Sequence, residues 1–450
     1  TMIKNKIYAT AIAILLINTA FGQFASSPMN SMGVGQINGM GLVQNRSMGG
    51  LGIGTGSYWN LNNINPALLV YSRGTIFNGL TVFQTSLLFE NKNISDPSIT
   101  EKSSNGGLNY LVTGFPVIMN KWFTSLGLMP YSSANYNLNY SQPVIGQPDL
   151  SVNVYEEGSG GLNSFFMSHG VNITKNLSLG LTANLLFGSR IREYTNSVDI
   201  TILKSDPTNQ AINNYNSTLY QRNNNKGFIF TGGFAYQDSI KISGKDPLKV
   251  TIGLIYDFKK GVQGKQFESI ERRTSSNIVS SDTLKNDVKG EVVFPSGFGG
   301  GFSLSQGFKW NAGLDVGVKN YNELLSFGEV LNSTKTFYLK TGVEFTPNAF
   351  SIDGYMKRVT YRMGSSFQKT PYLINGMAVK DFGINFGASF PIVPSTGANS
   401  IVNKGFSSVD LGFEYGVQGN LTENLLREEY FRFNFGVTFN DKWFVRRKFN

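Results

Sequence analysis

The sequence predicts an all-β protein: a transmembrane antiparallel β-barrel of about fourteen strands, with an N-terminal segment in its lumen. Three observations predict it. Apolar and polar residues alternate with period two through most of the 450-residue chain. The composition is 13% aromatic and only 15% charged, with 51 glycines. The chain opens on an export signal and has no later apolar run long enough for a membrane helix. The length alone would admit two or three ordinary domains, but one barrel can use this many residues.

The export signal comes first. Lys4 and Lys6 precede the apolar run Ile7–Ile17, and Ala20-Phe21-Gly22 is a small-x-small cleavage site. Residues 1–22 therefore read as a secretory signal peptide, with an N-terminal anchor as the alternative. Spanning a bilayer takes about 20 apolar residues, and this run is shorter. No Cys follows the cleavage site, so the pattern is not a lipoprotein's.

The strands follow from about residue 75. In 177–187, Leu177, Leu179, Leu181, Ala183, Leu185 and Phe187 share one face, against Ser178, Gly180, Thr182 and Asn184. In 310–319, Trp310, Ala312, Leu314, Val316 and Val318 oppose Asn311, Gly313, Asp315, Gly317 and Lys319. The runs 381–390, 409–417 and 431–439 repeat the pattern. A soluble sandwich also alternates. Two details favour the membrane: the polar faces are rich in Gly and poor in Lys and Glu, and the runs are about ten residues long, where soluble strands average about five or six. Closure pairs every backbone N–H and C=O laterally, as lipid requires.

Turns give sidedness. Asn120-Lys121-Trp122, Thr174-Lys175-Asn176, Phe308-Lys309-Trp310 and Asn440-Asp441-Lys442-Trp443 adjoin alternating runs. Their Asn, Asp and Lys suit tight turns, and Trp122, Trp310 and Trp443 suit an interfacial aromatic girdle, expected on the periplasmic side. Polar stretches near 90–106, 140–160, 196–226, 260–292 and 392–405 read as extracellular loops. The region 196–292 resists segmentation.

Residues 23–74 do not alternate. They carry Gly33, Gly35, Gly39, Gly41, Gly49, Gly50, Gly52, Gly54 and Gly56. Gly50–Gly56 lacks the strand–turn–helix context of a phosphate loop. An exported segment of this kind is expected inside the lumen, where wall or water satisfies its backbone. The stretch Arg46-Ser47-Met48-Gly49-Gly50, then Tyr58-Trp59-Asn60, then Asn65-Pro66-Ala67-Leu68, resembles the N-terminal signature of FadL-like outer-membrane proteins. Phe294-Pro295 through Phe302 with Lys309-Trp310, and Tyr361-Arg362-Met363-Gly364 with Asp381-Phe382-Gly383 to Gly387, are similar to that family's strand entry and late strands.

The resemblance implies a hatch over 23–74 and a barrel over 75–440. It also implies a hydrophobic ligand, such as a fatty acid or aromatic hydrocarbon, entering from outside and leaving through the wall. For Asn65, Pro66 and Ala67, a turn fixing the hatch is favoured over substrate contact, because Pro fixes φ. The chain departs from the simple pattern at its end. After the last alternating run comes a basic aromatic tail, 441–450, with Arg446, Arg447 and Lys448. It is either an interfacial tail or a docking peptide for a periplasmic partner.

Chemistry is sparse. The chain has no Cys and a single His, His169, which exclude disulfides, thiolate sites and two-His metal sites. No cofactor or metal is expected, and the chain does not read as an enzyme; His169 reads as an interfacial or lumenal hydrogen-bonding residue. The net charge is +10, and basic residues cluster only at the C-terminus, so no nucleic-acid partner is expected. Expected partners are outer-membrane lipid and lipopolysaccharide, a hydrophobic ligand, and an outer-membrane or periplasmic protein.

Strand parity points Asp315, Lys319, Lys340, Glu344, Arg362, Asp381, Asp410, Glu414 and Arg432 into the lumen. Lys or Arg on the lipid face would cost about 2–4 kcal/mol at the midplane. Mixed charges in a narrow lumen are expected to pair, or to hold the plug, more than to recognise a ligand. Two functions follow, the first favoured on the family resemblance and the second its alternative. A transporter of hydrophobic molecules needs a continuous apolar cavity and a wall gap. A non-transporting accessory barrel in an outer-membrane protein secretion or insertion machine can be filled by its plug and charge pairs.

Overall fold

The computed structural model describes residues 26–57, 59–71, 80–144, 147–198, 216–244, 246–274, 277–392, 407–423 and 425–442. The signal peptide, Trp443, Arg446, Arg447 and Lys448 lie outside the described residues.

Fourteen antiparallel strands form the wall. In chain order they are β1 (Leu80–Ser95), β2 (Thr100–Ile118), β3 (Trp122–Ser133), β4 (Gln147–Asn172), β5 (Leu177–Val198), β6 (Asn216–Ile240) and β7 (Leu248–Asp257). The second half is β8 (Gly297–Gln306), β9 (Trp310–Lys319), β10 (Thr336–Phe345), β11 (Thr360–Ile374), β12 (Met377–Pro391), β13 (Ser408–Asn420) and β14 (Leu426–Lys442). Each pairs with its neighbours in sequence. β14 pairs with β1 from Leu80 opposite Lys442 to Ser95 opposite Arg427, which closes the barrel.

Alternation decides the faces. In β12, Ile384 and Phe386 are 36% and 45% exposed, while Asn385 between them is 2% exposed. Phe413, Phe431, Phe435, Phe302 and Phe382 are likewise exposed on the outer wall. The turns at 119–121, 173–176 and 307–309 lie at one end, as expected. Trp122 stands opposite Val171, and Trp310 opposite Phe345.

Three expectations are corrected. The connector 392–405 was expected among the extracellular loops, but its flanks Ile392 and Ser407 are hydrogen-bonded at the end that carries the 307–309 turn. The described parts of 90–106, 140–160, 196–226 and 260–292 are mostly strand rather than loop. They lacked apolar alternation because water, not lipid, meets them above the membrane. Asn440-Asp441-Lys442 is not a turn: it continues β14 along β1.

The extended strands build a second feature at the extracellular end. Tyr136–Val144 pairs with the upper part of β4. The upper parts of β4, β5 and β6 pair in turn. A hairpin, Lys260–Arg273 and Ile278–Phe294, rises between β7 and β8, its first strand along the top of β6. Six strands thus form a sheet standing on the barrel, edged by Tyr136–Val144 and Ile278–Phe294.

Candidate functional site

The candidate site is the lumen and what fills it. Residues 26–57 and 59–71 run inside the wall, and the inward glycines of the strands make room for them. A Cβ on Gly301 would lie 2.3 Å from the Gly54 nitrogen, and one on Gly364 2.2 Å from the Met48 carbonyl carbon. Real Cβ atoms do not approach backbone this closely, so the polar faces read as Gly-rich because backbone passes backbone there. Within the segment, Gly49 and Gly50 adopt φ of 70° and 81°, a region open to Gly at little cost.

Three anchors hold the segment. At the extracellular end, Ser27 donates to the buried carboxylate of Glu428, which pairs with Lys92 at 3.3 Å. Arg190 and Arg192 donate to the carbonyls of Gly33 and Ser31, and Tyr372 to that of Gly35. Midway, Asp315 of β9 accepts from the backbone N–H groups of Gly52, Ile53 and Gly54 at 2.7, 2.8 and 3.1 Å. A carboxylate accepting several backbone donors is a strong, charge-assisted anchor. Nearer the other end, the Asn65 side chain accepts from the Ala67 N–H at 3.0 Å and donates to the carbonyls of Ile53 and Phe234. Asn65 thereby caps the 3-10 turn Pro66–Val70, the geometry of a turn that fixes the segment to the wall.

The remaining lumen charges are paired across strands. Arg432 reaches Glu90 at 2.7 Å and Glu414 at 3.0 Å, and its guanidinium lies 4.1 Å from the Tyr430 ring centre. Arg362 donates to Glu344 at 2.7 Å and to Ser389, whose hydroxyl donates to Asp410. Thr438 also donates to Asp410, at 2.7 Å. Asp381 accepts from Tyr430 at 2.8 Å. Lys319 pairs with Asp257 at 2.7 Å. Lys340 and Arg46 donate to segment carbonyls: Lys340 to Gly50, Arg46 to Gly39 and Gly41.

Sequence parity thus places Asp315, Arg362, Asp381, Asp410, Glu414 and Arg432 in one lumen. It misses Glu90, Lys92, Glu428 and Arg46. The missed signal was Glu428-x-Tyr430-x-Arg432, which continues the inward parity of the last strand. His169 is not lumenal. It lies on the outer wall between Thr124, 2.9 Å from its Nδ1, and the Trp122 indole, 3.3 Å away. Trp310 bonds Gln306 at 3.2 Å.

Apolar lumen side chains pack against one another. Leu42, Val43, Leu61, Leu69 and Val70 of the segment meet Tyr110, Phe123, Met129 and Phe166 of the wall. Among the described residues a cavity of about 340 Å³ is bordered by Arg46, Lys340, Asp257 and Asp381 and by Phe230, Phe258 and Tyr338, among others.

A family model described as BamG matches residues 2–450. The chain belongs to the BamG family. The fold of this BamG-family chain is FadL-like. It is similar to the CymD monoaromatic hydrocarbon channel, at 12% identity and TM-score 0.55 over 90% of this chain and 98% of that one. It is also similar to the P. putida toluene transporter TodX, at 14% identity and TM-score 0.54 over 91% and 100%. A *Pseudomonas aeruginosa* FadL homologue aligns at 11% identity and TM-score 0.50, over 92% and 100%. No curated protein matches the chain. At such identities the likeness is one of fold, that of an outer-membrane β-barrel.

Proposed function

We propose that this barrel works by contact, as a non-transporting accessory subunit of an outer-membrane protein secretion or insertion machine. One observation carries the reading: apolar side chains of the inserted segment and of the wall pack against one another, and the cavity beside Arg46 has a lining as polar as it is apolar. Pockets for apolar ligands are lined mostly by apolar and aromatic groups with few polar ones. Here a hydrophobic molecule would have to lie against the charged Arg46, Lys340 and Asp381, although Phe230, Phe258 and Tyr338 also line the cavity.

A second reading keeps hydrophobic uptake, such as passage of a fatty acid or an aromatic hydrocarbon. The shared architecture with the monoaromatic and toluene channels supports it. So do the irregularities in β3 between Pro130 and Ser132 and in β11 between Lys369 and Leu373, where pairing of the wall slips.

The test is purification from the native outer membrane in gentle detergent, followed by native mass spectrometry. A stoichiometric protein partner without a bound apolar molecule supports the accessory reading. A barrel that emerges alone, carrying an apolar ligand, overturns it in favour of uptake.

A further inference from the structure

The extracellular sheet ends on one side at the outer strand of the hairpin, Ile278–Phe294. Among the described residues, only Glu291, Val292 and Val293 of this strand pair through the backbone with anything on its far side. Residues 278–284 are exposed on both faces, with Ile278, Val279 and Leu284 at 56%, 53% and 53%. This run has neither Pro nor Gly, and its side chains are Ile, Val, Ser, Ser, Asp, Thr and Leu. An extended edge of this kind is a template for another strand, and proteins usually blunt it. The opposite edge, Tyr136–Val144, carries Pro143, Asn137, Asn139 and Gln142.

We infer that residues 278–285 are a docking strand for an extended segment of a different exported protein, added to the sheet by main-chain hydrogen bonds. The inference rests on the contact reading of function and names the surface and the binding mode.

Charge and geometry select the occupant. A second copy in the same membrane shares the barrel's orientation, so its edge would run parallel about a two-fold axis along the membrane normal. Under that symmetry each residue meets its own copy with the side chains on opposite faces and with N–H and C=O groups facing their own copies at one height, so no parallel ladder forms. A different chain is free of that symmetry. It fits best with a basic side chain opposite Asp282, an acidic one opposite Lys285, and apolar side chains near Val279 and Leu284.

The test is residue-resolved hydrogen exchange on two samples: the full-length barrel alone in detergent, and the assembly purified from the native outer membrane. In the isolated barrel, amides should alternate along 278–285, since successive N–H groups point to opposite edges. The inward set is held by Lys260–Arg273 and the outward set is free. In the assembly the outward set should slow at least tenfold. Outward amides that exchange equally fast in an assembly containing a partner overturn the docking strand and leave the contact reading standing. Outward amides already protected in the isolated barrel overturn it too, because the chain then covers its own edge. An assembly without any partner overturns both.

A second arm uses side chains. Val279→Asp with Leu284→Asp should lower partner occupancy at least fivefold, with heat-modifiable migration of the barrel unchanged. Leu138→Asp on the opposite edge should not. Equal losses from both edges would overturn the assignment.

Discussion

The Asp315 carboxylate accepts the backbone N–H of Ile53 at 2.8 Å, joining residues 262 positions apart. The same carboxylate holds Gly52 and Gly54, so one side chain of β9 fixes three consecutive residues of the inserted segment. Asp315→Asn replaces an acceptor with an N–H₂ donor facing backbone donors. An unsatisfied buried group costs about 1–3 kcal/mol. The expected outcome is local: faster hydrogen exchange over residues 48–56 and a raised single-channel conductance, with the barrel still heat-modifiable. Unchanged exchange in that stretch would show that the segment is held elsewhere.

The glycines of the segment differ in what a side chain would meet. A Cβ on Gly54 would lie 2.3 Å from the Gly301 carbonyl carbon, whereas one on Gly39 meets nothing within 4 Å. Gly54→Ala should therefore destabilise by about 1–3 kcal/mol, the range for overpacking. Gly39→Ala should be close to neutral. Midpoints of urea unfolding in lipid vesicles compare the two, and equal midpoints would contradict the packing described here.

Arg432 sits between Glu90 and Glu414. Arg432→Gln leaves two carboxylates facing each other without the cation between them, and among the described residues only Glu90 keeps another, Lys92 at 4.0 Å. Breaking a buried pair from one side costs about 3–5 kcal/mol. The temperature at which folded migration is lost on a gel should fall clearly. Adding Glu90→Gln and Glu414→Gln to the same chain should restore much of it. No recovery in the triple variant would mean that Arg432 acts through packing on Tyr430 instead.

The closing ladder runs from Ser95 opposite Arg427 to Leu80 opposite Lys442 among the described residues. Removing Trp443 to Asn450 should leave insertion and heat-modifiable migration intact while weakening retention of a protein partner. Loss of insertion itself would make the tail an assembly signal.

How far the sequence could be read depended on what each face touches. Phe382, Ile384 and Phe386 face lipid while Asn385 faces the lumen, and that contrast makes β12 legible. By the same parity Asp315, Arg362, Asp410 and Arg432 point inward. Above the membrane the outer face meets water, so both faces are polar and the contrast disappears: the buried Glu90 and Lys92 lie on a strand where a polar loop was expected. The inserted segment has no period at all, so Arg46 could be placed only by its contacts. The Asn65-Pro66-Ala67 element was legible as a turn because Asn before Pro carries its own chemistry. Which lumen charges pair depends on register between strands far apart in sequence, such as Glu90 with Arg432, and alternation along one strand does not encode it.

The seam between β1 and β14 joins the two ends of the wall. The ring therefore closes only where β14 meets β1. The inserted segment precedes both strands in the chain, and its outermost anchor, Ser27, holds Glu428 on β14. A sheet that curls around a tether already lying along it needs no threading of a peptide into a finished tube. For such a wall the segment is a mandrel.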